Sequence, residues 1–284
     1  MPNPIINRRT GGAIIPPTQG QLLASAWADQ VVTNGGVRPG ATSIAAAGNF
    51  LDGLMTDLIY SKMIAINIFA PDNLIASITP LIKTAGNTPW TNTNFVLGNL
   101  SANGLSSASS GFLKTGVNPN VVYASANDAG FTFYANTAGS APKMRMLSID
   151  GSNAAGLYCD ASAANSGAYG IWNQSPAIGG LATNIYFFFS NNRTASNASA
   201  IYLANGSLGF TTLQASAGAP GTRPNLDVWV FTWNFNGSPS QTLDAGGLTT
   251  CSFAAIHNGL SSAEANLFFN RVQTLRQTLG GGYT

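Results

Sequence analysis

The chain has 284 residues, 45% of them apolar and only 8% charged, with a formal net charge of +2 at neutral pH; soluble domains ordinarily carry about 25% charged residues. That scarcity excludes charge-driven disorder and a strongly basic nucleic-acid surface, and no apolar run reaches the roughly 18 residues of a membrane span. The polar surface falls to Asn, Ser, Thr and Gly, which dock against other proteins with few charges to desolvate, as in an exported or assembly-embedded β protein.

Residues 1–19 read as an extended arm, because Pro16 and Pro17 bar a helix. It holds a basic pair, Arg8 and Arg9, and an apolar pair, Ile14 and Ile15, without the apolar core of a signal peptide. Such an arm is either disordered or tied to a neighbour. An amphipathic helix is predicted over 21–32, closed by Asn34-Gly35-Gly36. A second starts near a Thr42/Ser43 cap and aligns Ile44, Ala47, Leu51, Leu54, Met55, Leu58 and Ile59 as far as Lys62. Its stripe faces either the core of this chain or a partner helix. Residues 1–62 are therefore assigned as an arm and helical region for anchoring and oligomer contacts.

From Met63 the grammar changes to short strands bounded by turns. Strands are predicted over 63–69, 94–97, 111–115, 130–134, 143–149, 156–159, 185–189, 201–203, 208–211, 227–233 and 251–256, with a weaker apolar stretch at 74–81. Trp229, Phe231, Trp233 and Phe235 alternate, which predicts a central strand with its aromatics between two sheets. A last helix opens on Ser261-Ser262-Ala263-Glu264, a capping box that uses the sole glutamate. It runs through Leu267, Phe268, Val272, Leu275 and Leu279 to Gly280-Gly281-Gly282. The expected fold is all-β, a two-sheet antiparallel sandwich with helical ends. Residues 63–284 form it.

Catalytic chemistry finds little material here. A glycosidase mechanism needs two carboxylates at fixed separation, and the one glutamate, Glu264, is assigned to a helix cap. His257 is the only histidine, so a His-rich metal site is excluded, and its place between a strand end and Asn258-Gly259 reads as a hydrogen-bonding loop residue. No phosphate-binding glycine loop occurs. Asp128, Asp150 and Asp160 lack the dense acidic spacing of a calcium loop and read as turn formers. Cys159 and Cys251 either pair as a disulfide or lie as separate buried thiols, the second being the reading a reducing cytoplasm favours. No catalytic residue, metal site or cofactor is assigned, and no nucleic-acid or membrane partner. Trp90, Tyr123 and Trp172 are candidate aromatic contacts for a glycan.

Four phrases in fixed order carry a resemblance. Leu113-Lys114-Thr115-Gly116-Val117-Asn118 precedes Gly130-Phe131-Thr132-Phe133-Tyr134; upstream lies Ser61-Lys62-Met63-Ile64-Ala65-Ile66-Asn67-Ile68-Phe69. Downstream lie Asn234-x-Asn236-Gly237 and Gly259-Leu260-Ser261-Ser262-Ala263-Glu264. Together, over residues 50–280, they resemble the concanavalin A-like, LamG-type jelly-roll modules of tailed-bacteriophage virion proteins. Asn67 and Ala70 depart from that pattern, and the arm matches none of it. The resemblance implies a jelly-roll sandwich in a non-enzymatic virion structural protein, assembled in the host cytoplasm and displayed on head or tail. On this reading Arg8, Arg9, Ile14 and Ile15 anchor the arm to the particle. The partners are then other virion proteins and further copies of the chain, in a trimer or higher ring. The alternative is a receptor- or carbohydrate-binding module of a tail fibre or spike, with a host surface glycan as partner.

Overall fold

The computed structural model describes residues 16–84, 88–106, 110–137, 143–160, 187–205, 209–240 and 249–281. Helices α1 (Gln19–Thr33) and α2 (Ala41–Thr56) precede strand β1 (Met63–Asn67). The short helix α3 (Leu74–Ile78) leads to β2 (Ile82–Lys83) and β3 (Thr91–Thr93). Next come β4 (Leu100–Ser101), β5 (Gly104–Ser106), β6 (Phe112–Lys114) and the helical turn α4 (Pro119–Val122). Six long strands follow: β7 (Ala129–Thr137), β8 (Lys143–Asp150), β9 (Asn153–Asp160), β10 (Phe187–Ala195), β11 (Ala198–Asn205) and β12 (Gly209–Ser216). The chain closes with β13 (Trp229–Val230), β14 (Trp233–Phe235), β15 (Ser238–Ser240), β16 (Thr249–His257) and helix α5 (Ser262–Thr278).

The fold is mostly β, with two sheets and some helices. One sheet runs β12-β11-β10-β7-β16-β1-β2, with β5 on β16 and β4 on β5; the other runs β15-β14-β8-β13-β6-β3, with β9 on β8. Two apolar clusters make three layers. Phe131, Phe133, Phe189 and Ile256 point to the second sheet and meet Met146, Leu157 and Trp229. Tyr134, Phe188, Phe253 and Ala255 point the other way and meet Trp27, Phe50, Leu54 and Phe268 from the helices. Because β7 and β16 are covered on both faces, their sequences read as nearly unbroken apolar runs.

The helices end as their sequences direct. Thr18 and Gln21 form a capping box ahead of α1, and Ser261 and Glu264 form the expected one ahead of α5. Gly35 and Gly280 take φ of 88° and 86° where α1 and α5 stop. The stripe of α2 faces the core of this same chain and α5, which resolves the alternative left open by periodicity. Among the described residues no helix is long and apolar enough to cross a membrane.

Several expectations are corrected. Helix α2 is capped by the backbone of Gly40 alone and stops at Thr56, so Leu58 leaves the stripe and is 82% exposed. The apolar stretch at 74–81 contains a helix, because Asn73 accepts a hydrogen bond from the Ala76 amide and caps it. Residues 94–97 form no strand; the Asn92 and Asn99 side chains bind local amides and hold a turn there. The aromatic strand at 227–235 is broken at Phe231, whose φ is 73°. Consequently β13 pairs antiparallel with β8 and β14 pairs parallel with it, the exception to an otherwise antiparallel pattern. Phe235 is exposed, and Leu267 lies on the outer side of α5.

Candidate functional site

The sequence-predicted aromatic contacts do not form a rim. Trp90 is 1% exposed, packed edge-on against Phe69 in the inter-sheet core. Tyr123 is 2% exposed, and its hydroxyl donates to the carbonyls of Gly130 and His257, both at 3.1 Å. Neither ring is open to a ligand, since rings of this size contribute most of their stabilisation when buried. Trp172 lies outside the described residues, as do Arg8, Arg9, Ile14 and Ile15.

The carboxylates among the described residues are committed to structure. Asp57 pairs with Arg271 and Glu264 with Lys62. Asp128 accepts from the Gly259 amide at 2.6 Å, Asp150 from the Asn225 amide and Asp227 from the Trp229 indole. Partial burial alone would raise the Glu264 pKa, but the Lys62 ammonium and the Ser261 cap hold it below the usual range. Among the described residues no three His, Cys, Asp or Glu side chains gather as a metal site. Cys251 is a buried free thiol, pushed up to about 12 by loss of solvent and therefore unreactive.

A buried polar cluster links the sheet to the start of α5. His257 Nδ1 lies 2.7 Å from the Asn258 carbonyl, which can only accept, so this nitrogen carries the proton. Nε2 then accepts from the Thr132 hydroxyl at 2.8 Å. Thr132 in turn must accept from Ser190 at 2.6 Å, and Ser190 from the Asn192 amide at 2.8 Å. The result is a one-directional chain, Asn192 to Ser190 to Thr132 to His257. Burial lowers the His257 pKa to about 4, although the Asn258 contact opposes this, and the Lys62 charge adds to the lowering. Glycine is required at two points: a Cβ on Gly130 would strike the imidazole, and one on Gly259 would strike the Arg193 carbonyl.

Beside this cluster, on the helix-bearing face of β10, β11 and β12, lies an open groove of about 440 Å³. Its polar lining includes Asn192, Thr194, Asn197, Ser199 and Ser216, and alanines and Leu260 supply apolar surface. Tyr202 also lines it and stacks on Phe210, with ring centroids 5.4 Å apart. No lining residue carries a formal charge at neutral pH. Sequence reading missed these residues: they sit in an Asn-Ser-Ala stretch without a motif, and only strand alternation places 192, 194, 200 and 202 on one side.

No protein-family model matches the chain, and no curated protein matches it. Among solved structures, the botulinum neurotoxin serotype D binding domain is 15% identical, with a TM-score of 0.49 over 77% of this chain and 52% of that one. A protein of unknown function from Shewanella oneidensis is 13% identical, with a TM-score of 0.36 over 61% of this chain and 76% of that one. Scytalido-glutamic peptidase is 14% identical, with a TM-score of 0.27 over 49% and 79% respectively. The chain spans about half the length of the toxin binding domain. At these values none of the three bears on the chemistry of this chain.

Proposed function

We propose that this chain is a structural, non-catalytic protein of a tailed-bacteriophage virion, built on a concanavalin A-like jelly roll and displayed on head or tail. One observation carries the reading: three of the four phrases that resemble virion modules meet as scaffold around the His257 cluster, while Asn234 and Asn236 hold a turn of the second sheet. Lys62 bonds the Gly259 carbonyl, and Asn118 caps α4, after which Tyr123 reaches Gly130 and His257. Thr132 bonds His257, and Ser261 with Glu264 caps the closing helix. Their hydrogen-bonding capacity goes into holding the layers together. On this proposal the arm anchors the chain among its copies, in a trimer or ring, and to other virion proteins. Mass spectrometry of purified particles tests it. The chain is expected in stoichiometric amount with the known structural proteins, and its absence would sink the proposal.

A second reading, a receptor- or carbohydrate-binding module of a tail fibre or spike, is favoured by the uncharged groove on β10–β12. It predicts that the purified protein binds envelope polysaccharide of the host; failure to bind any overturns it.

A further inference from the structure

We propose that the groove on β10–β12 is the seat of one neutral sugar unit, with the Asn192 amide as its fixed hydrogen-bond donor. The proposal rests on the second reading above and gives it a location. It begins with Asn192, which is 1% exposed yet lines the groove. The carbonyl of its amide accepts from the Leu260 backbone at 2.9 Å, and one N–H goes to Ser190 at 2.8 Å. The other N–H has no acceptor among the described residues. The amide cannot flip to hide it. Ser190 has its own hydrogen committed through Thr132 to His257, so a reversed Asn192 would set oxygen against oxygen at one side and N–H against N–H at the other. The chain from His257 thus fixes an amide that lines the groove before any ligand arrives, the arrangement that lowers the ordering cost of binding.

The rest of the lining selects the ligand class. Thr194 and Asn197 offer a hydroxyl and an amide; Ser199, whose hydroxyl donates to the Ser216 carbonyl, keeps its lone pairs, and Ser216, whose hydroxyl accepts from the Gly218 amide, keeps its hydrogen, while the alanines and Leu260 offer apolar surface for a C–H face. A phosphate or carboxylate would lose water without gaining a counter-charge. Arg193 follows Asn192 on β10 but points to the opposite sheet face by alternation, and its guanidinium is held by the carbonyls of Ala195, Ser196 and Gly218. The main-chain groups of β10 and β11 are paired on both sides, so among the three strands only β12, at the edge of the sheet, has a side free for an extended peptide. Side-chain hydroxyls and amides over a small apolar floor suit a pyranose. The volume of about 440 Å³ lies within the usual range for a small-molecule site.

The test uses the full chain labelled with nitrogen-15, in which the sole histidine supplies a signal at the far end of the hydrogen-bonded chain. Methyl glycosides of glucose, galactose, mannose and N-acetylglucosamine are titrated singly, with N-acetylneuraminic acid and inorganic phosphate as charged probes. At least one neutral glycoside is expected to shift both the Asn192 side-chain amide and the His257 ring nitrogens, with Kd of about 1 mM. Ala215→Trp, at an exposed position of the lining, should weaken that binding at least about tenfold, and Asn197→Ala several-fold, without changing the melting temperature. The site is overturned if only the charged probes shift these signals, or if protein concentration alone shifts them, which would mark a second copy as the occupant. If a neutral glycoside binds and Ala215→Trp leaves its affinity unchanged, the sugar-binding reading survives and this site falls. If neither the glycosides nor host polysaccharide binds, both fall together.

Discussion

His257 is enclosed between Gly130, Phe268 and the carbonyls of the closing turn, and its ring is held neutral by the contacts on both nitrogens. Its proton affinity therefore differs between folded and unfolded chains. The unfolded imidazole takes a proton near pH 6.5 and the folded one only near 4. Between those values the unfolded state binds more protons, so acid favours unfolding. The group's contribution is fully present above the unfolded pKa and is lost as pH falls through this window, by about 3 kcal/mol in all. Urea unfolding compared between about pH 7 and about pH 4.5 should show that loss, and His257→Gln should flatten the slope. Equal slopes in the two proteins would mean that the imidazole is protonated in the fold. Thr132→Val tests the same chain from its middle. It leaves His257 Nε2 without a donor and the Ser190 hydroxyl without an acceptor, so stability should fall by about 2–3 kcal/mol at neutral pH, measured by the same unfolding curves.

At the scale of elements, three helices end in one way with different residues. Each closes with a backbone amide reaching back five residues: Gly36 to Val31, Ile59 to Leu54 and Gly281 to Arg276. The residue before that amide is left-handed, and it is Gly35, Leu58 and Gly280 respectively. Two of the stops were legible because glycine marks them. The third was not, since leucine in a left-handed turn has no sequence signal and the apolar pattern runs on through it. Leu58 is strained by its Cβ and buries almost nothing, so Leu58→Gly should stabilise the protein by roughly 1 kcal/mol, net of the unfolded-state entropy it adds. A rise of about 2 °C in melting temperature is expected, and a fall would show that the side chain has a partner. Strands followed the same logic. β7 and β16 were legible from β-branched and aromatic content. The alternating aromatics at 229–235 misled, because the backbone reversal at Phe231 cancels the period that alternation assumes. The groove was illegible for a further reason: its residues come from low-complexity sequence, and what distinguishes Asn192 is a chain of partners 60 or more residues away along the sequence, at Thr132 and His257.

For the whole molecule, the helical layer decides what the N-terminal region does. Trp27, Val31, Phe50, Leu51 and Leu54 are buried against the sheet and α5. Full burial of one such side chain stabilises by about 1.5–3 kcal/mol. Five of them sum to roughly 10 kcal/mol, comparable to the whole stability of an ordinary domain. Helices α1 and α2 therefore serve as core, and under the virion proposal anchoring falls to the arm. Removing residues 1–15 spares the Thr18 cap and everything buried after it, so that truncation should melt within about 1 °C of the full chain and, under the virion proposal, fail to enter particles. Removing residues 1–56 uncovers Ile66, Ile68 and Phe253 on the sheet, and that chain should be recovered only as aggregate or as a dye-binding, loosely packed state. Circular dichroism, dye binding and particle incorporation separate the two functions. A folded, monomeric chain after the longer deletion would mean that the helices are an attachment added to a self-sufficient sandwich. Incorporation after the shorter one would move the anchor from the arm to the folded surface.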